Sequence, residues 1–244
     1  MLRLKKTVGF DQKILLHQLD YVAKQSKKQS KKDMYDILDG YLRQDITGAK
    51  SRKNAITMLM KIWYNVPEEI SKIREEVLDV FNDFSNGEKL FAHWNMTMLA
   101  YPFFKDVANE FGRLFQLQDE VSSSTILKRM KENYGERRRV EVASSAVISS
   151  MKAWDIVVSE KNGVYKQNRK VGIANPLLQA LFIHTLFYVR EAESLYIDTM
   201  NDSPLYFPFQ IDLQIHELRE RKDFSFHYQG VEKLIVEKGL IRNE

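Results

Sequence analysis

Arg137, Arg138 and Arg139 are three consecutive guanidinium groups set just after Gly135, where the sequence closes one helix and opens another. The start of a helix is the positive end of its dipole, and a cation held there is disfavoured by roughly 0.3 to 1 kcal/mol. A phosphate from outside removes that penalty. Ser145, Ser149 and Lys152 follow on the same expected helix, off the apolar stripe made by Val140, Ala143, Val147, Met151 and Trp154 at steps of three and four. Downstream come Lys161, Lys166, Arg169 and Lys170. From Ser122 to Gly172 eleven lysines and arginines stand against five acidic residues, a net +6 within a chain that is +4 in total. A second basic group, Lys50, Arg52 and Lys53, lies in the segment TGAKSRKN. The chemistry these residues suit is contact with a phosphate backbone, which supplies most of the affinity in protein–DNA binding.

Positioning such a set needs particular elements, and the sequence from Asp106 to Gly172 carries four in order. DVANEFGRLFQLQ puts Val107, Phe111 and Leu114 on one helical face, and Val121 suits a short strand. Ser123 or Ser124 caps a second helix, TILKRMKENY, whose Ile126, Met130 and Tyr134 repeat every four residues before Gly135. The third helix runs from about Arg137 to Trp154. Two short runs around Asn162-Gly163 then read as a hairpin with a type I′ turn, bounded by about Ile156 and Val171. Helix, turn, helix and hairpin together predict a winged helix-turn-helix. In such units the N-terminal residues of the third helix reach base edges. The serines Ser144, Ser145, Ser149 and Ser150 offer that face few strong base readers, so limited sequence specificity is expected.

Other chemistries find no set of residues to carry them. The chain has no cysteine, which excludes disulfides, thiolate catalysis and Cys-based metal sites. TGAKSRKN has a glycine-containing basic turn at a helix start, with Ser51 as a candidate cap. It has neither paired glycines nor a Gly-Lys-Ser or Gly-Lys-Thr triplet, so nucleotide hydrolysis is not predicted. Glu68 and Glu69 suit a helix N-terminus after Pro67, and Glu75 and Glu76 recur on a solvated helical face rather than across a cleft. His17, His93, His184, His216 and His227 show no metal-ligand spacing, and His184 is expected as a hydrogen-bonded core residue. No enzyme, metal or cofactor is predicted.

The 244 residues, 44% hydrophobic and 29% charged, describe a soluble globular chain that is mainly α. Three regions are expected: a helical domain over 1–104, the winged helix-turn-helix over 105–173, and a C-terminal segment over 174–244 with a helix and a small β-hairpin. In the helical domain, helices with Ile14, Leu15, Leu19 and Val22, then Met34, Ile37, Leu38 and Leu42, flank the run KQSKKQSKKD, which reads as a solvated helix end. Phe91, Trp94, Tyr101, Phe103 and Phe104 form a junction core, and Pro102 marks a helix boundary. In the C-terminal segment a single apolar helix is expected from Pro176 to about Met200, buried rather than membrane-spanning, then a polar helix near Ile211 to Arg221 and a hairpin across Gly230. MLRLKKTVGF lacks the apolar stretch of a signal peptide, so a cytoplasmic location is the expectation.

The order GAKSRKNAITMLMKIW, then an acidic helix, then WNMTMLAYPFFKDV and a basic region, over roughly Asp36 to Val158, resembles the small A-component (BrxA) proteins of BREX phage-defence systems. The resemblance implies a small, mainly helical, non-enzymatic protein that binds nucleic acid in antiviral defence, with double-stranded DNA and other proteins of the defence system as partners. A different class of function fits the same residues: a scaffold subunit that uses the winged unit and the C-terminal hairpin to dock a protein, by strand addition for example.

Overall fold

A computed structural model describes residues 6–230 and 233–239. Five helices lead: α1 (Leu16–Gln25), α2 (Lys31–Leu42), α3 (Ala49–Trp63), α4 (Glu68–Asp79) and α5 (Asn86–Ala100). Local sequence explains their starts. Ser30 accepts the Asp33 N–H at the head of α2, and Ser85 with Glu88 forms a capping box at the head of α5. At α3 the expected cap is displaced. The helix begins at Ala49 after Gly48, which puts Ser51 inside the first turn, where its hydroxyl makes no cap. Every residue of α5 from Leu90 to Ala100 is buried, so this helix runs through the interior with the others laid around it.

The middle of the chain comprises α6 (Pro102–Phe115), β1 (Glu120–Ser122), α7 (Ser123–Tyr134), α8 (Arg138–Ala153), β2 (Val157–Lys161) and β3 (Val164–Gln167). The three strands form an antiparallel sheet in the order β1-β3-β2. Ser122, one residue before the expected serines, is the cap of α7 and accepts the Thr125 N–H at 3.1 Å. Gly163 has φ +74°, but Asn162 is not among the positive-φ residues, so the loop is not a type I′ turn. A bulge between Val158 and Lys161 inserts one residue into β2 and supplies the twist that a primed turn would have given. The hairpin also ends earlier than expected, since Val171 belongs to another sheet.

That next sheet is β4 (Val171–Ile173) paired in parallel with β6 (Phe209–Ile211). Between them lie α9 (Pro176–Arg190), β5 (Ser194–Tyr196) and α10 (Ile197–Asn201); after them come α11 (Ile215–Leu218), β7 (Phe224–Gln229) and β8 (Lys233–Lys238). The single helix expected up to Met200 is therefore cut at Arg190. Glu191 takes a left-handed φ of 51° as the C-cap, and SLY becomes a strand. The polar helix expected over Ile211 to Arg221 shrinks to the four residues of α11. The C-terminal hairpin is present, though residues 231 and 232 of its turn, like residues 1–5, lie outside the described residues. Its partner is β5, giving the order β5-β8-β7.

The two three-stranded sheets share one plan. A proline-started helix leads into a short strand, a helix follows that strand at once, and a later hairpin places its second strand in the middle. The C-terminal copy is abbreviated: α10 and α11 have 5 and 4 residues where α7 and α8 have 12 and 16. Its charge is also reversed, with ten acidic against five basic residues from Glu191 to Gly239.

Buried apolar residues form one continuous cluster from Val8 to Val236. Trp94 sits within it, edge-on to Phe104, Trp154, Phe207 and Phe209, and its indole N–H donates to the Leu205 carbonyl at 3.0 Å. The expected aromatic junction around Phe91 and Phe104 is thus a meeting point of all three regions of the chain. Among the described residues, no helix is long and apolar enough to cross a membrane.

Candidate nucleic-acid interface

Helix α8 lies half sunk in the protein. Val140, Ala143, Val147, Met151 and Trp154 are buried, and the opposite face exposes Arg138, Val142, Ser145 and Lys152, with Ser149 half-buried. These five recur at steps of four and three, so they lie on one helical stripe. Two of the four serines expected on that face turn inward. Ser150 is buried and accepts the Ile14 N–H at 2.9 Å, and the Ser144 hydroxyl is buried without a partner among the described residues. The outer face is therefore narrower than the sequence suggests, with Ser145 and Ser149 as its polar centre.

The three arginines divide their tasks. Arg137 is the N-cap residue, and it folds back to donate to the carbonyls of Tyr134 at 3.1 Å and Lys6 at 3.0 Å. Arg139 reaches the Asp11 carboxylate at 3.5 Å. Arg138 points outward, its side chain 85% exposed, with Glu141 one turn on as its neighbour at 3.0 Å. Glu141 is held below its usual range by hydrogen bonds from Lys131 and Arg138. So Arg138 is the most exposed of the three, Arg139 stays 62% exposed while touching Asp11, and Arg137 fastens the segment before α1 to the head of α8. Trp154 continues that fastening, its indole N–H donating to the Ile14 carbonyl at 2.9 Å.

Asp11 joins the two basic groups. Its other carboxylate oxygen accepts from Asn54 of α3 at 3.1 Å, so the first turns of α3 and the N-terminus of α8 converge on one side chain. Lys50, one turn before Asn54, and Lys53 beside it are exposed, and neither has an ion pair among the described residues. Arg52 behaves differently. It is only 9% exposed and bonds inward to Asp39 and to the carbonyls of Ile46 and Thr47, closing the turn before α3. Its guanidinium is structural, because it is buried and three of its five N–H groups are taken by these partners.

On the hairpin, Lys161, Arg169 and Lys170 are exposed. Lys166 is half-buried and committed to Glu160 at 2.8 Å and Glu120 at 3.5 Å, bridging the three strands. The hairpin tip packs on the head of α7: the Ser123 N–H donates to the Gly163 carbonyl at 2.8 Å. Two exposed lysines lie outside the set of contact residues expected from the sequence, Lys128 on α7, counted there only in the charge of the segment, and Lys13 two residues from Asp11. Lys128 sits in the amphipathic run LKRMK, where only the packed face tells it apart from Arg129, which pairs with Glu110 at 2.9 Å. Among the described residues no cluster of His, Asp or Glu is arranged to hold a metal ion. No protein-family model, no curated protein and no solved structure matches this chain.

Proposed function

We propose that this chain is a non-enzymatic protein that binds double-stranded DNA, with α6 to β3 acting as a winged helix-turn-helix and α8 as the helix that enters the major groove. The observation that carries the reading is the stripe on α8. A helix buried along one side presents Arg138, Ser145, Ser149 and Lys152 along the other, backed by a three-stranded sheet in the order β1-β3-β2. Lys161, Arg169 and Lys170 of the wing are exposed as well, as are Lys50 and Lys53 of α3, which Asn54 and Asp11 link to Arg139 of α8. Phosphate contacts from these lysines and arginines supply the affinity. Membership of an antiviral defence system rests on the sequence resemblance alone.

Titration of a mixed-sequence duplex over a range of salt tests this. Log affinity is expected to fall linearly with log salt, with a slope of about 0.9 per phosphate neutralised. A flat titration at low salt from folded protein overturns it. A second reading, a subunit that docks a protein, is favoured by a separate observation: β7 is one of the two outer strands of its sheet, and its Tyr228 is 62% exposed in the acidic C-terminal copy. That reading predicts no appreciable duplex affinity at any salt.

A further inference from the structure

The exposed stripe of α8 is chemically uneven. Cations stand at its two ends, Arg138 and Lys152, and between them lie only uncharged side chains shorter than these, Val142, Ser145 and Ser149. Short central side chains let the helix axis approach a groove floor closely while the longer end groups reach outward to phosphates. Val142 is the odd member. It is 39% exposed, one of the few large apolar side chains that the described surface shows. Valine is also a poorer helix former than the lysine, glutamate or alanine that usually fill such positions. What it offers instead is rigidity, since a β-branched side chain on a helix holds one dominant rotamer and so presents its two methyl groups at fixed points.

The major-groove edge determines what such a group can recognise. Bidentate readout of guanine or adenine needs Arg, Lys, Asn or Gln, and readout of the cytosine amino group needs a free carboxylate. The middle of the stripe has none of these, and Glu141 beside it is taken by Lys131 and Arg138. Serine hydroxyls donate or accept and so discriminate weakly. The one apolar feature of the groove is the methyl group on C5 of a pyrimidine. Resting on the reading of α8 as the groove-entering helix, we infer that Val142 is a specificity-determining residue that contacts the 5-methyl group of thymine, or of a 5-methylated cytosine.

Alternating two-base repeats make the test independent of any unknown target sequence. Duplexes of one length are compared: alternating adenine and thymine, the same with uracil for thymine, and alternating guanine and cytosine with and without a 5-methyl on every cytosine. The natural chain is expected to bind the thymine duplex about three- to fourfold more tightly than the uracil duplex, the effect of one buried methyl group. Val142→Ala should lose that preference and keep its melting temperature, while Val142→Ile retains it. A matching preference for methylated over plain cytosine identifies the methyl group itself as the ligand; without it the contact belongs to thymine. Equal binding of thymine and uracil duplexes by the natural chain overturns the inference and leaves DNA binding intact. A thymine preference that survives Val142→Ala also overturns it, since duplex shape then carries the difference. Failure to bind any of the four duplexes refutes instead the DNA-binding reading beneath it.

Discussion

The indole N–H of Trp63 donates to Nδ1 of His93 at 3.0 Å, inside the helical region of the chain. Indole nitrogen only donates, so Nδ1 must be the unprotonated nitrogen, and the proton sits on Nε2, which donates to Asp20 at 2.9 Å. One neutral tautomer satisfies α3, α5 and α1 together. Burial pushes the His93 pKa down, against the pull of the Asp20 carboxylate. Burial, the largest single influence, would raise Asp20, but the bond from His93 together with the charges of His93, Lys24 and Lys89 outweighs it and holds the carboxyl below its usual range. Both shifts act in the same direction on stability. An unfolded histidine takes up a proton near pH 6.5, and the folded one resists it, so stability is full above about pH 6.5 and falls as the pH drops below, by at most roughly 1.4 kcal/mol per unit. Asp20 adds a second loss below about pH 3.8. Denaturant titrations between pH 5 and 8 should show the first slope in the natural chain and its disappearance in His93→Gln. A slope unchanged by that substitution would place the titrating group elsewhere.

Gly112 carries a different kind of constraint. It lies within α6, and a Cβ built on it would stand 1.9 Å from the Pro204 carbonyl oxygen. Backbone cannot retreat as a side-chain tip can, so Gly112→Ala forces α6 away from the turn before β6. The expected cost is at least the ~3 kcal/mol at the upper end of ordinary overpacking. A thermal melt within a degree or two of the natural chain would show that the two segments separate easily.

Trp154 closes α8 on its buried side, against Phe104 and Trp94, with its indole N–H on the Ile14 carbonyl. Trp154→Ala should destabilise the protein by roughly 3 to 5 kcal/mol. Trp154→Phe keeps much of the apolar contact and strands the carbonyl, at about 1 to 3 kcal/mol. Equilibrium unfolding distinguishes them: equal losses would mean that the ring contact kept by phenylalanine contributes nothing, and no loss in Trp154→Phe would mean that the hydrogen bond contributes nothing.

Periodicity made the middle of the chain legible. Val140 to Trp154 at steps of three and four, and Asn162-Gly163 between two short runs, are local signals, and local signals survive folding. What the sequence could not show was which charged groups would be consumed. Arg52 and Arg137 look like Arg138 in sequence, yet Arg52 is buried on Asp39 and Arg137 folds back onto the Tyr134 and Lys6 carbonyls, while Arg139 stays exposed beside Asp11. The C-terminal copy was hidden for another reason. Its helices are too short to establish a 3.6-residue period, and apolar FIHTLFYV runs into REAESLYIDTM without proline or glycine to mark the break. There the tertiary pairing of β5 with β8 decides the structure.

The division among the arginines makes the last prediction sharp, because Arg137 and Arg138 adjoin in sequence and differ in task. Arg138→Gln removes an exposed, solvent-screened pair with Glu141 that contributes little to stability. It also removes a cation from the positive end of the α8 dipole, where it was disfavoured by a similar amount. These cancel, so the melting temperature should stay put while the salt slope of duplex binding drops by about 0.9, one phosphate contact. Arg137→Gln should do the reverse. Its guanidinium holds the carbonyls of Tyr134 and Lys6, so its loss costs about 1 to 3 kcal/mol of stability and leaves the salt slope nearly unchanged. Melting curves and salt titrations on the two variants separate the roles. If Arg138→Gln leaves the slope intact, or Arg137→Gln lowers it while the fold keeps its stability, the assignment of Arg138 as the presented arginine is wrong.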